Sequence, residues 1–138
     1  MMLLVRHAWA GDRDLWVGHD HERPLDARGW RQAGELVGRL ERFSLEQIWT
    51  SPYRRCVETV LPIAAARGLE PQLRDELTEE LQMTEGIALV QAHAGEPVLV
   101  CGHGGLELAL AAPRKWRKGA TFVVDETLRI VDELKPKP

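Results

Sequence analysis

The chain has 138 residues, 44% of them apolar and 28% charged, which is room for one domain with one core and argues against a disordered protein. Eighteen Lys+Arg against 21 Asp+Glu give a formal net charge of -3, and that balance speaks against a general nucleic-acid or anionic-membrane binder. No apolar stretch approaches the length of a membrane span, and the opening MMLLV is cut by Arg6-His7 too early for a signal peptide.

Leu3–Val5 is a short, fully apolar run that predicts a buried central strand stopping at Arg6-His7. A polar loop is expected from Gly11 to Pro24. Asp26 then caps a helix whose apolar positions Trp30, Ala33, Leu36, Val37 and Leu40 recur at helical spacing. Gln47–Thr50 predicts a second strand. Ser51-Pro52 reads as the next helix start, with Ser as cap and Pro where its missing N–H costs nothing. Tyr53, Val57, Val60, Leu61 and Ala64 form its predicted face, and Gly68 ends it.

Glu85–His93 predicts a helix closing at Gly95. Pro97–Cys101 predicts a third apolar strand, which ends at Gly102-His103-Gly104-Gly105 and leads into Leu106–Ala112. Thr121–Val124 and Leu128–Val131 predict two more strands around a turn at Glu126-Thr127. Cys56 and Cys101 are too few and too far apart for a disulfide framework, so reduced thiols and a cytoplasmic location are expected. The predicted unit is one domain over residues 1–134 with a frayed tail at 135–138.

Alternating strands and helices predict an α/β fold, a three-layer α/β/α sandwich around a mostly parallel sheet, with ligands off the carboxyl ends of the strands. That rule selects Arg6-His7, Ser51 with the arginines after it, and His103. A neutral imidazole can attack phosphorus, arginine forks can hold the phosphoryl oxygens, and a carboxylic acid can supply the leaving group's proton.

LLVRHA at 3–8, RPLDARGWRQA at 23–33, SPYRRCVET at 51–59 and VLVCGHGG at 98–105 resemble, in order, the signatures of the histidine phosphatase superfamily. The resemblance implies a phosphatase that uses no metal and no cofactor and acts through a covalent phosphohistidine. It implies His7 as nucleophile, Arg6 and Arg55 as phosphate-binding arginines, and His103 as the second histidine. It also implies Arg23 and Gly104 beside the phosphate, and Glu79 as the acid with Glu80 next. Arg54, the neighbour of Arg55, is expected to be a solvated surface charge.

No asparagine follows His7, and only about forty residues separate Arg55 from Pro97, which leaves no room for a cap domain and disfavours a mutase. The chain looks most similar to small phosphohistidine phosphatases of the SixA type, which implies a phosphorylated protein or a small phosphorylated molecule as partner. Its LTEE at 77–80 and RKGAT at 117–121 also resemble the phosphatase-like half of some Nudix hydrolases, which implies a nucleotide phosphatase or a non-catalytic phosphate-binding module as the alternative. Trp9, Trp16 and Trp116 fall in or beside the loops expected near the site. His19 and His21 are weighed as metal ligands and read instead as a polar rim. Arg114, Lys115, Arg117 and Lys118 form a basic run open to an anionic substrate or to solvent.

Overall fold

The computed structural model describes residues 1–137. Its centre is a six-stranded sheet of order β3-β2-β4-β1-β5-β6, built from β1 (Met2–Arg6), β2 (Gln47–Thr50), β3 (Gln72–Leu73), β4 (Val98–Gly102), β5 (Thr121–Val124) and β6 (Ile130–Leu134). The first four run parallel in space, while β5 and β6 add on antiparallel. The sheet is therefore mostly parallel, as expected. The short β3 is an edge strand with both residues exposed, so no apolar run announces it.

Alternation along β1 assigns its side chains to two cores. Leu3 and Val5 join Ile48, Leu99 and Cys101 against two helices, α1 (Ala27–Arg39) and α2 (Arg54–Arg67). Met2 and Leu4 join Val98, Val100 and Phe122 against Leu77, Val90, Leu106 and Trp116 on the opposite face. That second layer is thin: a π-helical turn (Gln82–Gly86), the six-residue α3 (Ile87–Ala92) and a 3-10 turn (Leu106–Ala109). The element expected over Leu106–Ala112 is thus one short turn. No segment forms a cap over the strand ends among the described residues, and Pro138 of the expected tail lies outside them.

Three helix expectations need correction. Helix α2 begins at Arg54 rather than at Ser51: the Ser51 hydroxyl lies 2.9 Å from His103 Nε2, and the backbone N–H it accepts is that of Tyr53, ahead of the helix. Its buried face is Arg55, Cys56, Thr59, Val60, Ile63 and Ala64, whereas Leu61 is exposed. Packing two polar residues, Arg55 and Thr59, inward rotates the face away from the apolar positions. Trp30 of α1 is also exposed. The last strand starts later than predicted because Asp125 Oδ1 accepts the N–H groups of Thr127 and Arg129, and this turn holds Leu128 at φ +66°.

Asp26 caps α1 through the Gly29 N–H at 2.8 Å, and the Asp26 N–H in turn donates to the Trp9 carbonyl. The helix start is thereby pressed onto the loop leaving β1, and a Cβ at Gly29 would stand 1.9 Å from the Trp9 oxygen. A solvated glycine inside a helix usually gains about 0.5–1 kcal/mol on replacement by alanine. Gly34, with nothing near its missing Cβ, should follow that rule in urea unfolding, while Gly29→Ala should lower stability. Equal gains at both positions would mean that the α1–β1 contact is not close.

Candidate active site

Parallel β1, β2 and β4 end together, so residues distant in sequence meet. Arg6 lies beside Gly102 and Thr50 beside Cys101, which brings His7, Ser51 and His103 to one edge. The His7 and His103 rings meet edge to face with centroids 5.5 Å apart, and both are buried. His7 Nδ1 lies 2.8 Å from the Ala8 carbonyl. A carbonyl only accepts, so Nδ1 carries the proton and Nε2 keeps its lone pair. Burial, opposed by the Ala8 hydrogen bond and reinforced by the neighbouring His103, Arg55 and Arg6, holds His7 well below the ordinary imidazole pKa and so neutral.

His103 is fixed from its other side. Ser51 Oγ lies 2.9 Å from His103 Nε2, which leaves Nδ1 without a hydrogen bond, 3.5 Å from Glu79 Oε1. Ser51 was expected as a helix cap, yet it serves as the partner of this ring.

Arg55 is completely buried at the start of α2. Its Nη1 donates to the Asp20 carbonyl at 2.9 Å, and its Nη2 to Asp20 Oδ2 at 3.1 Å and Glu79 Oε1 at 2.9 Å. Arg54, one residue earlier, is exposed and pairs with Glu58 on its own helix. Arg23 is buried as well, donating to Asp20 Oδ1 at 2.9 Å and to the Ala10 carbonyl. Burial opposes the charge on Asp20, but the Arg23 hydrogen bond and the charges of Arg55 and Arg13 hold its carboxyl below the ordinary value. Arg6 is oriented by donation to the Trp116 carbonyl at 2.7 Å, and its Nε has no partner among the described residues. A Cβ on Gly104 would fall 3.0 Å from the Arg6 guanidinium, so a side chain there would push that group aside.

These residues surround a cavity of about 380 Å³ lined by Arg6, His7, Arg13, Arg23, Glu79, Gly104 and Lys118 with Gly11. Every residue expected at the site is therefore in or against it. Glu79 and Glu80 separate clearly: Glu79 faces Arg55, Arg13 and His103, while Glu80 accepts the Tyr53 hydroxyl outside the cavity. Sequence reasoning missed Arg13 and Asp20, both in the polar loop, where only two 3-10 turns bring them inward. Trp116 belongs to the core, buried and stacked on Phe122. The rings of His19 and His21 stack on each other, and no group of three metal-ligand residues is present among the described residues.

The model of the histidine phosphatase superfamily (branch 1) matches residues 2–88. The chain belongs to the histidine phosphatase superfamily. It is similar to the 8-oxo-(d)GTP phosphatase of Mycolicibacterium smegmatis, 34% identical over 157 residues that take in 98% of this chain and 48% of that protein. The chain thus spans about half the length of this curated relative. Its fold is that of the protein histidine phosphatase SixA solved with tungstate, with a TM-score of 0.79 at 21% identity over 98% of this chain and 96% of the other. The SixA structure from Nakamurella multipartitia gives 0.71 at 26% identity, covering 98% and 95%. No helix of the described residues is long and apolar enough to cross a membrane.

The buried, neutral state of His7 has a measurable consequence. An unfolded chain takes up a proton at this histidine near pH 6.5, the ordinary value, while the folded chain does not. Below that pH the unfolded state binds more protons, so His7 makes stability decline as pH falls towards its folded pKa. Removing the group in His7→Asn removes this slope. The stability advantage of wild type over His7→Asn, measured by urea unfolding, should shrink between pH 7 and pH 5; an advantage that grows would show that His7 is charged in the fold.

Proposed function

We propose that this chain is a metal-independent phosphatase that works through a phospho-His7 intermediate. The observation that carries this reading is the fixed tautomer of His7: Nδ1–H is committed to the Ala8 carbonyl, and Nε2 is left unprotonated at a cavity lined by four basic side chains. Nε2 attacks phosphorus as the bond to the leaving group breaks, and the Ala8 carbonyl stabilises the positive charge the ring acquires. Arg6, Arg23, Arg55 and the Nδ1–H of His103 hold the phosphoryl oxygens. Those oxygens compete with Asp20 and Glu79 for the Arg55 N–H groups, and the freed Glu79 carboxylate takes the proton of the monoanionic phosphate ester and passes it to the leaving group. In the second half a water loses a proton to Glu79 and attacks phosphorus. The P–N bond breaks, its electron pair returns to Nε2, and inorganic phosphate leaves.

The phosphoryl donor in this reading is a phosphohistidine protein or a small phosphorylated molecule, since no segment among the described residues covers the strand ends and restricts the leaving group. A nucleotide is the second donor class, and the likeness to the 8-oxo-(d)GTP phosphatase favours it. The uncapped site supports either.

With a chromogenic phosphomonoester in excess EDTA, wild type should turn over and accumulate phosphate on His7 after rapid acid quench. His7→Ala should remain folded and form no phosphoenzyme. Arg55→Ala should lose about a hundredfold or more in kcat, whereas the solvated Arg54→Ala should lose far less. Phosphate release without labelled His7, or activity lost in EDTA and restored by zinc, would reject the mechanism.

A further inference from the structure

A second cavity, of about 600 Å³, adjoins the first and shares Arg6 and Lys118 with it. Seven basic residues and no acidic one line it, among them Arg28, Lys115 and Arg117. This is unusual in a chain of net charge -3. Elsewhere exposed arginines are paired, as Arg54 is with Glu58 and Arg114 with Glu133. By contrast, Arg6, Arg28, Lys115, Arg117 and Lys118 have no carboxylate within 4.0 Å among the described residues.

The cations are also held in place. The Arg28 guanidinium lies 4.3 Å and the Lys118 ammonium 4.4 Å from the centre of the Trp9 ring, which fixes both beside the cavity. The basic segment carrying Lys115, Arg117 and Lys118 is anchored to the strand that carries His7, because the Gly119 N–H donates to the carbonyls of Arg6 and His7 at 3.0 and 3.1 Å. Trp116, between Lys115 and Arg117, is locked in the core. Burial and then the charges of Arg6, Arg23, Arg13 and Arg55 push the Lys118 ammonium below its ordinary value. Like charges gathered and fixed without counter-charges are stabilised by an anion brought between them.

We infer that this second cavity is an anion subsite for the remaining phosphates of a polyphosphorylated small molecule whose terminal phosphoryl group sits at His7. The inference rests on the phosphatase reading and narrows its substrate to the class of nucleoside di- and triphosphates. Two observations select a phosphate chain over an acidic protein surface. The cavity is concave and of a size that holds small ligands, and it runs into the first through Arg6 and Lys118, so its negative charges must lie next to the transferred phosphoryl group. A phosphoanhydride chain meets both conditions. Trp9 accordingly serves to hold cations, and its ring is not an open platform for a base.

The test uses Lys115→Ala/Arg117→Ala, two exposed residues outside the His7 cavity. Wild type should hydrolyse adenosine diphosphate with a higher kcat/KM than adenosine monophosphate. The double variant should lose about tenfold or more with the diphosphate, through KM, as expected for losing charge-assisted hydrogen bonds. Its kcat/KM for p-nitrophenyl phosphate should stay within about twofold of wild type. Equal losses on both substrates, or none on the diphosphate, would overturn the subsite. A loss confined to an acidic phosphohistidine peptide would overturn it in favour of a protein-docking surface. Calorimetric binding of imidodiphosphate to His7→Ala separates the two readings: if no substrate is turned over but this binding is strong and depends on Lys115 and Arg117, the subsite stands and the phosphatase reading falls.

Discussion

A guanidinium cannot escape burial by losing its proton, and Arg55 has no exposure at all. Its pairing is the constraint that organises the strand ends. The polar loop after β1 must fold back far enough for Asp20 to offer both its carbonyl and its carboxylate. The segment after β3 must bring Glu79 to the same nitrogen. Two stretches without regular secondary structure thus acquire defined positions from one side chain, and each brings further charge with it. Asp20 also holds Arg23, and Glu79 also holds Arg13. Deleting both carboxylates would leave the buried Arg55 charge uncompensated, which is more costly than the pairing is favourable.

The same arrangement makes the site receptive to an anion. Glu79 and Asp20 occupy Arg55 donors that suit oxyanions in general, so in the proposed reaction a phosphoryl group exchanges partners with these carboxylates. His7 stands apart from this exchange. It is kept neutral by burial and by the surrounding cations, with its proton parked on the Ala8 carbonyl side. The charge network and His7 are therefore complementary: the cations around the cavity also disfavour protonation of the imidazole.

Beyond the paired cluster the positive charge continues, unpaired, into the Trp9–Lys115–Arg117 cavity. Burial explains the contrast between Arg55 and Arg23 on one side and Lys115 and Arg117 on the other. Arg55 and Arg23 need partners because they are desolvated, while the exposed Lys115 and Arg117 remain hydrated and need none. A protein with a net negative charge thus carries a strongly basic surface at one place.

Apolar runs bounded by Arg6-His7, Thr50-Ser51 and Gly102-His103 were enough to read β1, β2 and β4 and their ends, because a strand buried on both faces is written as a continuous apolar string. The ordered signatures likewise selected His7, Arg55, His103 and Arg23 from the sequence by itself. What it left open were matters of direction. Glu79 and Glu80 are adjacent and chemically alike, and only the position of Tyr53 decides that Glu80 faces outward. Ser51 reads as a helix cap until β4 brings His103 within 2.9 Å of its hydroxyl. Leu61 and Trp30 carry the right period for a core face, but burying Arg55, Thr59 and Gln32 turns both helices and leaves them exposed. Asp20 and Arg13 sit in a loop with no periodicity to read. Local sequence determines which residues can form a strand, a cap or a charge, whereas the partner of a buried charge comes from a distant segment, and only the tertiary structure brings the two together.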